Sequence, residues 1–211
     1  CLTSFADETA ISAENLKVLK SRPLIVELFE LNQAQIDKWT KEKERSNNSA
    51  IKSVLNSKIV FYSKMVECYN LNIQKTVAKY FDWHSKIEYM TESEVVELRK
   101  KSKNYTVLYP YREPLLESVE TGVTKQPNVR RPSLCYSRIE KNQGNPDYVF
   151  YLPYEEKALA DMYSEHYLSL AFRLMKNHFD YIESMPETKV PFLDFARDQM
   201  RKNCSKTPQY K

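Results

Sequence analysis

Apolar residues recur at spacings of three and four along most of this chain, the pattern of helices with one buried face. A first short helix is expected over 9–21, with Ser12 and Glu14 in its early turns. Ser21-Arg22-Pro23 breaks it, and Pro23 suits the first turn of the next helix. Over 24–45, Leu24, Leu28, Leu31, Gln35 and Trp39 form one stripe, which Ile25, Phe29 and Ile36 widen. The polar cluster Ser46-Asn47-Asn48-Ser49 supplies a cap for a long helix over about 50–90. There Tyr62, Val66, Tyr69, Ile73, Tyr80, Trp83 and Ile87 keep near-heptad spacing with no Gly or Pro among them. Roughly forty residues of helix would run about 60 Å and need packing partners along most of that length. Asn70-Leu71-Asn72 is where it could kink.

Thr91-Glu92-Ser93-Glu94 has the form of a capping box, Thr91 at the cap and Glu94 three residues on, opening a helix to about Lys103. Residues 104–132 then change character: Pro110, Pro114, Pro127 and Pro132 punctuate a long irregular excursion that also holds Gly122. A β-hairpin is expected over 133–153, with 133–139 and 148–152 as arms and 142–147 as the turn. A second long helix is expected over 154–185, ended by Pro186, and a last helix from Pro191. These elements predict a mainly α fold: a helical bundle with two long helices, a long Pro-rich loop and one β-hairpin. Residues 1–8 would be a flexible tether, 9–205 a single domain and 206–211 a polar tail.

Composition narrows the function classes. Only two glycines occur in 211 residues, Gly122 and Gly144. Glycine-rich phosphate loops and the GxSxG nucleophile elbow need glycines close together, so both are excluded. The net charge of +4 is uneven, and residues 46–90 carry +3 from six lysines against three acids. A local basic strip, Arg99, Lys100, Lys101, Lys103 and Arg112, falls short of a nucleic-acid footprint and suits a helix C-terminus. No HExxH occurs, and the residues three before His84, His166 and His178 are Phe81, Tyr163 and Met175, so the ExxH spacing of a di-iron bundle fails. No metal or other cofactor is expected, and the histidines are read as core residues packed against aromatics. Glu155, Glu156, Asp161 and Glu165 fit an acidic first turn better than a catalytic carboxylate pair.

Aromatic content is the most unusual feature, with 15 Tyr, 9 Phe and 2 Trp. Tyr105, Tyr109, Tyr111, Arg112, Arg130, Arg131 and Tyr136 concentrate around the excursion and the hairpin. Tyr and Arg dominate protein–protein hot spots, so these seven are the candidate partner-binding residues. Among the cysteines, Cys68 lies in an apolar helical run as a free thiol, and Cys135 with Cys204 is the candidate disulfide, worth on the order of 4 kcal/mol if formed.

Cys1 followed by the polar stretch Leu2-Thr3-Ser4-Phe5-Ala6-Asp7-Glu8 resembles the mature start of a bacterial lipoprotein, in which the first Cys carries the lipid. The resemblance implies lipidation at Cys1, and Leu2 in place of Asp implies retention at the periplasmic face of the outer membrane. It implies a non-enzymatic, lipid-anchored binding protein of the immunity class, which blocks a toxic hydrolase or lipase by covering its active site. The partner would be a protein, with neither nucleic acid nor a small-molecule substrate. Two other classes compete: a secreted, cytokine-like helical ligand, which the sequons at Asn47, Asn104 and Asn203 would suit, and a structural coiled coil dimerising through 50–90.

Overall fold

The computed structural model describes residues 10–110, 133–141, 146–151, 163–187 and 190–204. The chain runs α1 (Ala13–Ser21), β1 (Leu24–Leu28), α2 (Gln33–Arg45), α3 (Ser49–Tyr80), β2 (Ile87–Thr91), α4 (Glu92–Lys101), β3 (Thr106–Pro110), β4 (Ser133–Arg138), β5 (Tyr148–Tyr151), α5 (Glu165–Ser184) and α6 (Phe192–Cys204). The five strands form one mixed sheet in the order β2-β1-β3-β4-β5. β1 pairs parallel with both β2 and β3, and β3, β4 and β5 pair antiparallel in turn. The fold is therefore α/β, and the expected mainly α bundle with a single hairpin is wrong. The hairpin is real, but it forms one edge of a sheet whose other three strands were concealed, β1 and β2 in expected helices and β3 in the expected irregular excursion.

β1 shows why. Leu24, Ile25 and Val26 are all fully buried, because this strand is central and both faces are covered. Such strands show a continuous apolar run instead of alternation. Leu24, Val26 and Leu28 face the main core, which α1, α3, α5 and α6 build with Leu16, Leu19, Ile73, Phe172 and Phe192. Ile25 faces the other way, into a smaller core with Val107, Cys135 and Val95 of α4. The helix expected over 24–45 is thus a strand followed by α2. Val26 falls outside the apolar stripe of that expected helix, so Val26→Ala separates the two structures. A cost of roughly 2 kcal/mol is expected from two lost methyl groups and the void they leave. A change in urea midpoint within experimental error would place Val26 on a surface.

The helix expected over 50–90 ends at Tyr80. Its cap residue Phe81 is fully buried among Trp83, Tyr136 and Phe172, and the chain then turns into β2. α3 does not break at Asn70-Leu71-Asn72. The asparagines serve the fold from within it: Asn70 donates Nδ2 to Phe29 O at 3.0 Å and accepts from Phe29 N at 2.9 Å, and Asn72 Nδ2 donates to Tyr163 O at 3.0 Å. Asn70, together with Tyr69 OH, which donates to Glu27 O at 3.0 Å, fastens α3 to the end of β1, and Asn72 fastens it to the chain just before α5.

Local signals elsewhere hold. Thr91 and Glu94 make the full capping box of α4 and Asn48 caps α3, whereas α1 begins at Ala13 with Ser12 as its cap and not inside its early turns. Residues 106–110 of the irregular excursion are β3, buried along its length. The rest of that excursion, 111–132, lies outside the described residues, as do 1–9 and 152–162. The helix expected from 154 is described only from Glu165.

Candidate functional site

Topology first directs attention to the carboxyl ends of β1 and β3. The chain leaves β1 for β2 on one side and returns to β3 on the other, and this reversal of strand order is where open α/β sheets bind ligands. Glu27, Tyr109 and Cys135 stand there in one row, with Tyr109 and Cys135 in direct register. Glu27 is only 1% exposed. Burial pushes the Cys135 thiol well above its ordinary range, with Tyr109 opposing the rise and nearby Glu27 adding to it. Burial likewise pushes the Tyr109 hydroxyl up, and Cys135 adds to that. Both groups are held neutral, so Cys135 is no thiolate nucleophile.

Two histidines lie behind the opposite face of the sheet. Tyr136 and Tyr148 are register partners on β4 and β5, and each hydroxyl meets an imidazole. His84 Nδ1 is 2.6 Å from Arg22 O, which can only accept, so Nδ1 carries the proton. Nε2 is then the acceptor for Tyr136 OH at 2.7 Å. His178 mirrors this: Nε2 donates to Val190 O at 2.9 Å, and Nδ1 accepts from Tyr148 OH at 2.7 Å. Burial lowers both imidazoles to about 4. All four ring nitrogens are engaged, which leaves no lone pair for a metal or a mobile proton. Among the described residues no group of three His, Cys, Asp or Glu could hold a metal ion. His166, by contrast, is exposed and lies against Tyr167.

Three of the seven Tyr and Arg residues expected to bind a partner are among the described residues, and those three do not form one exposed surface. Tyr109 and Tyr136 are buried on opposite faces of the sheet and offer no ring to an incoming surface. Tyr105 is half-buried against the smaller core. Tyr111, Arg112, Arg130 and Arg131 lie outside the described residues, as does Cys1. The expected disulfide is also absent: Cys135 is a free buried thiol. It faces the α4 side of the sheet, whereas α6, which ends at Cys204, packs on α5 and the main core, so the sheet separates the two elements. Cys68 is free, as expected, but half-buried, with its sulfur accepting from Asn72 Nδ2 at 3.2 Å.

The surface with the clearest capacity to bind is one that sequence reasoning missed. α3 has 32 residues, a length of about 48 Å, yet from Val66 onward it buries Val66, Tyr69, Ile73, Thr76 and Val77, and before that only Leu55. Its first half leaves the sheet and has α2 as its cover. α2 buries no residue of its own. Trp39 meets Tyr62 edge-on at 5.9 Å, Tyr62 OH accepts from Asn32 N at 3.2 Å, and Lys43 Nζ donates to Asn56 Oδ1 at 3.3 Å. Beside this seam Ile51, Val54, Val60 and Phe61 remain 49%, 55%, 44% and 40% exposed. Ile51, Val54 and Phe61 follow one stripe, with Lys58 between the last two. A shallow depression of about 420 Å³ lies along it, lined by Ser53, Val54, Ser57, Lys58 and Phe61, all from α3. The legible signal is the run 49–66, which carries three lysines and no acid.

Compared with known proteins, the chain matches no family model, no curated protein and no solved structure.

Proposed function

We propose that this is a non-enzymatic binding protein that docks its partner through the free half of α3. The sheet and the remaining helices form the body that presents it. One observation carries the reading: Ile51, Val54, Val60 and Phe61 stand exposed on a helix segment the core does not cover. Exposed large apolar side chains clustered on a projecting element mark interaction surfaces. The engaged histidine nitrogens and the neutral, buried Cys135 favour binding over catalysis. The lipoprotein resemblance gives the setting, a tether at Cys1 on the periplasmic face of the outer membrane.

Site-specific photocrosslinking in the source cells tests this. A photoreactive residue at position 54 or 61 is expected to yield a discrete adduct, and one at exposed Lys79, on the same helix beyond the free half, none. Equal adduct yields at all three positions, or no adduct anywhere, would sink the reading.

A further inference from the structure

Resting on that reading, we propose that the surface bound by the free half of α3 is an anionic lipid bilayer. The first observation is charge. From Gln33 to Met65 the chain carries seven cations and three acids, a net +4, equal to the net charge of the whole chain. Residues 33–65, α2 with the first half of α3, therefore hold all of the excess, and the rest of the molecule sums to zero. Within α3, Lys58 stands in the stripe between Val54 and Phe61 and Lys64 lies beside it, with no acid on this helix before Glu67.

The second observation is shape. Among the described residues the shallow depression beside Val54 and Phe61 is lined by α3 alone, with no second element forming an opposing wall. A bound peptide or protein draws most of its affinity from anchors buried in pockets, which this face lacks. An interfacial helix needs no pocket. It lays apolar side chains into the boundary between headgroups and acyl chains while its lysines extend to the phosphates. Lys58, between Val54 and Phe61, is placed for that. A second copy of the chain is disfavoured by the same charges. An antiparallel pairing that sets Val54 against Phe61 of the other copy brings Lys58 near Lys58 of that copy, with no acid on this stretch to offset them.

The test uses the full chain without an acyl group, so that a lipid tether cannot itself cause binding. It is sedimented with phosphatidylcholine vesicles and with vesicles containing phosphatidylglycerol, at low and high salt. Binding is expected to the anionic vesicles alone and to fall with salt, because exposed charges are screened. The double substitution Lys58→Gln with Lys64→Gln is expected to weaken it roughly 25-fold, about fivefold per lysine. Val54→Ser with Phe61→Ser is expected to weaken it on the order of tenfold. Both sites are exposed, so an unchanged thermal midpoint accompanies either loss. Equal binding to the two vesicle types, or unchanged binding by the lysine variant, overturns the proposal. So does a concentration-dependent dimer in sedimentation velocity that Val54→Ser with Phe61→Ser abolishes, which would make a second copy the occupant. If vesicles do not bind while position 54 crosslinks a protein, the lipid proposal falls and the binding surface stands. If neither occurs, both fall.

Discussion

Between pH 6.5 and pH 4 the protein is expected to lose about 6 kcal/mol of folding stability, close to all that a domain of ordinary stability has. His84 and His178 are responsible. Each is lowered to about 4 in the folded chain from an ordinary value of 6.5. Burial is the main cause in both, opposed by the hydrogen bonds to Arg22 O and Val190 O. The tautomers add a structural reason: protonation would put an N–H donor where Tyr136 OH and Tyr148 OH now donate to an imidazole nitrogen, so both hydrogen bonds would have to reverse in the core. With the folded value depressed, the unfolded chain takes up protons first. The stability is present above pH 6.5, is lost as the pH falls, and is gone near pH 4. Each imidazole contributes about 3 kcal/mol of that loss, at roughly 1.36 kcal/mol for every tenfold drop in its proton affinity on folding. The Asp147 carboxyl is also lowered: burial alone would raise it, and Arg138, bonded at 2.7 and 3.1 Å, outweighs burial. Its contribution is lost only at still lower pH. Urea midpoints across this range should fall steeply, with histidine NMR signals of both rings remaining neutral at pH 5. Replacing one pair, Tyr148→Phe with His178→Phe, should roughly halve the dependence. A midpoint that is flat down to pH 4 would mean that these rings are not buried neutral.

Local chemistry is legible in the sequence, and sheet topology is not. Caps are short-range, so Thr91 with Glu94 and the cluster around Asn48 announce helix starts correctly. The hairpin arms are antiparallel neighbours in sequence and are legible too. β3 is hidden because Pro110 and the prolines after it read as an irregular excursion, whereas β1 and β2 are hidden for a shared reason. A strand of five residues is shorter than two helical turns, and Leu24, Leu28 and Leu31 happen to fit a helical face. Ile87 likewise continues the spacing of Tyr80 and Trp83 although α3 has already ended. Parallel pairing joins residues as far apart as Leu24 and Thr106, and no local pattern encodes it. The candidate site suffers from the opposite error. Tyrosine is amphipathic, so Tyr109 and Tyr136 read as surface residues, yet in the sheet one hydroxyl meets a neutral thiol and the other an imidazole. On α3 the apolar stripe reads as packing, because a helix that long is expected to be covered throughout.

Phe172→Ala is expected to cost roughly 3–5 kcal/mol, the range for emptying a fully buried aromatic site. Phe172 lies on α5 and meets Phe81 edge-on at 5.0 Å, Phe150 of β5 at 5.8 Å and Tyr80 of α3 at 6.3 Å. It therefore joins the core end of α3 to α5 and to the sheet, and no neighbour can fill the void without leaving another contact. The same helix α3 carries Val54, 55% exposed, where truncation to Ala should change stability by less than about 0.5 kcal/mol. If stability and binding are divided along α3 in this way, the two substitutions have opposite profiles. Phe172→Ala lowers the urea midpoint and leaves vesicle binding intact under conditions where the variant is folded. Val54→Ser with Phe61→Ser does the reverse. Equal losses of stability from truncation at Phe172 and at Val54 would show that the first half of α3 is packed like the second, and the surface on which the binding reading rests would not exist.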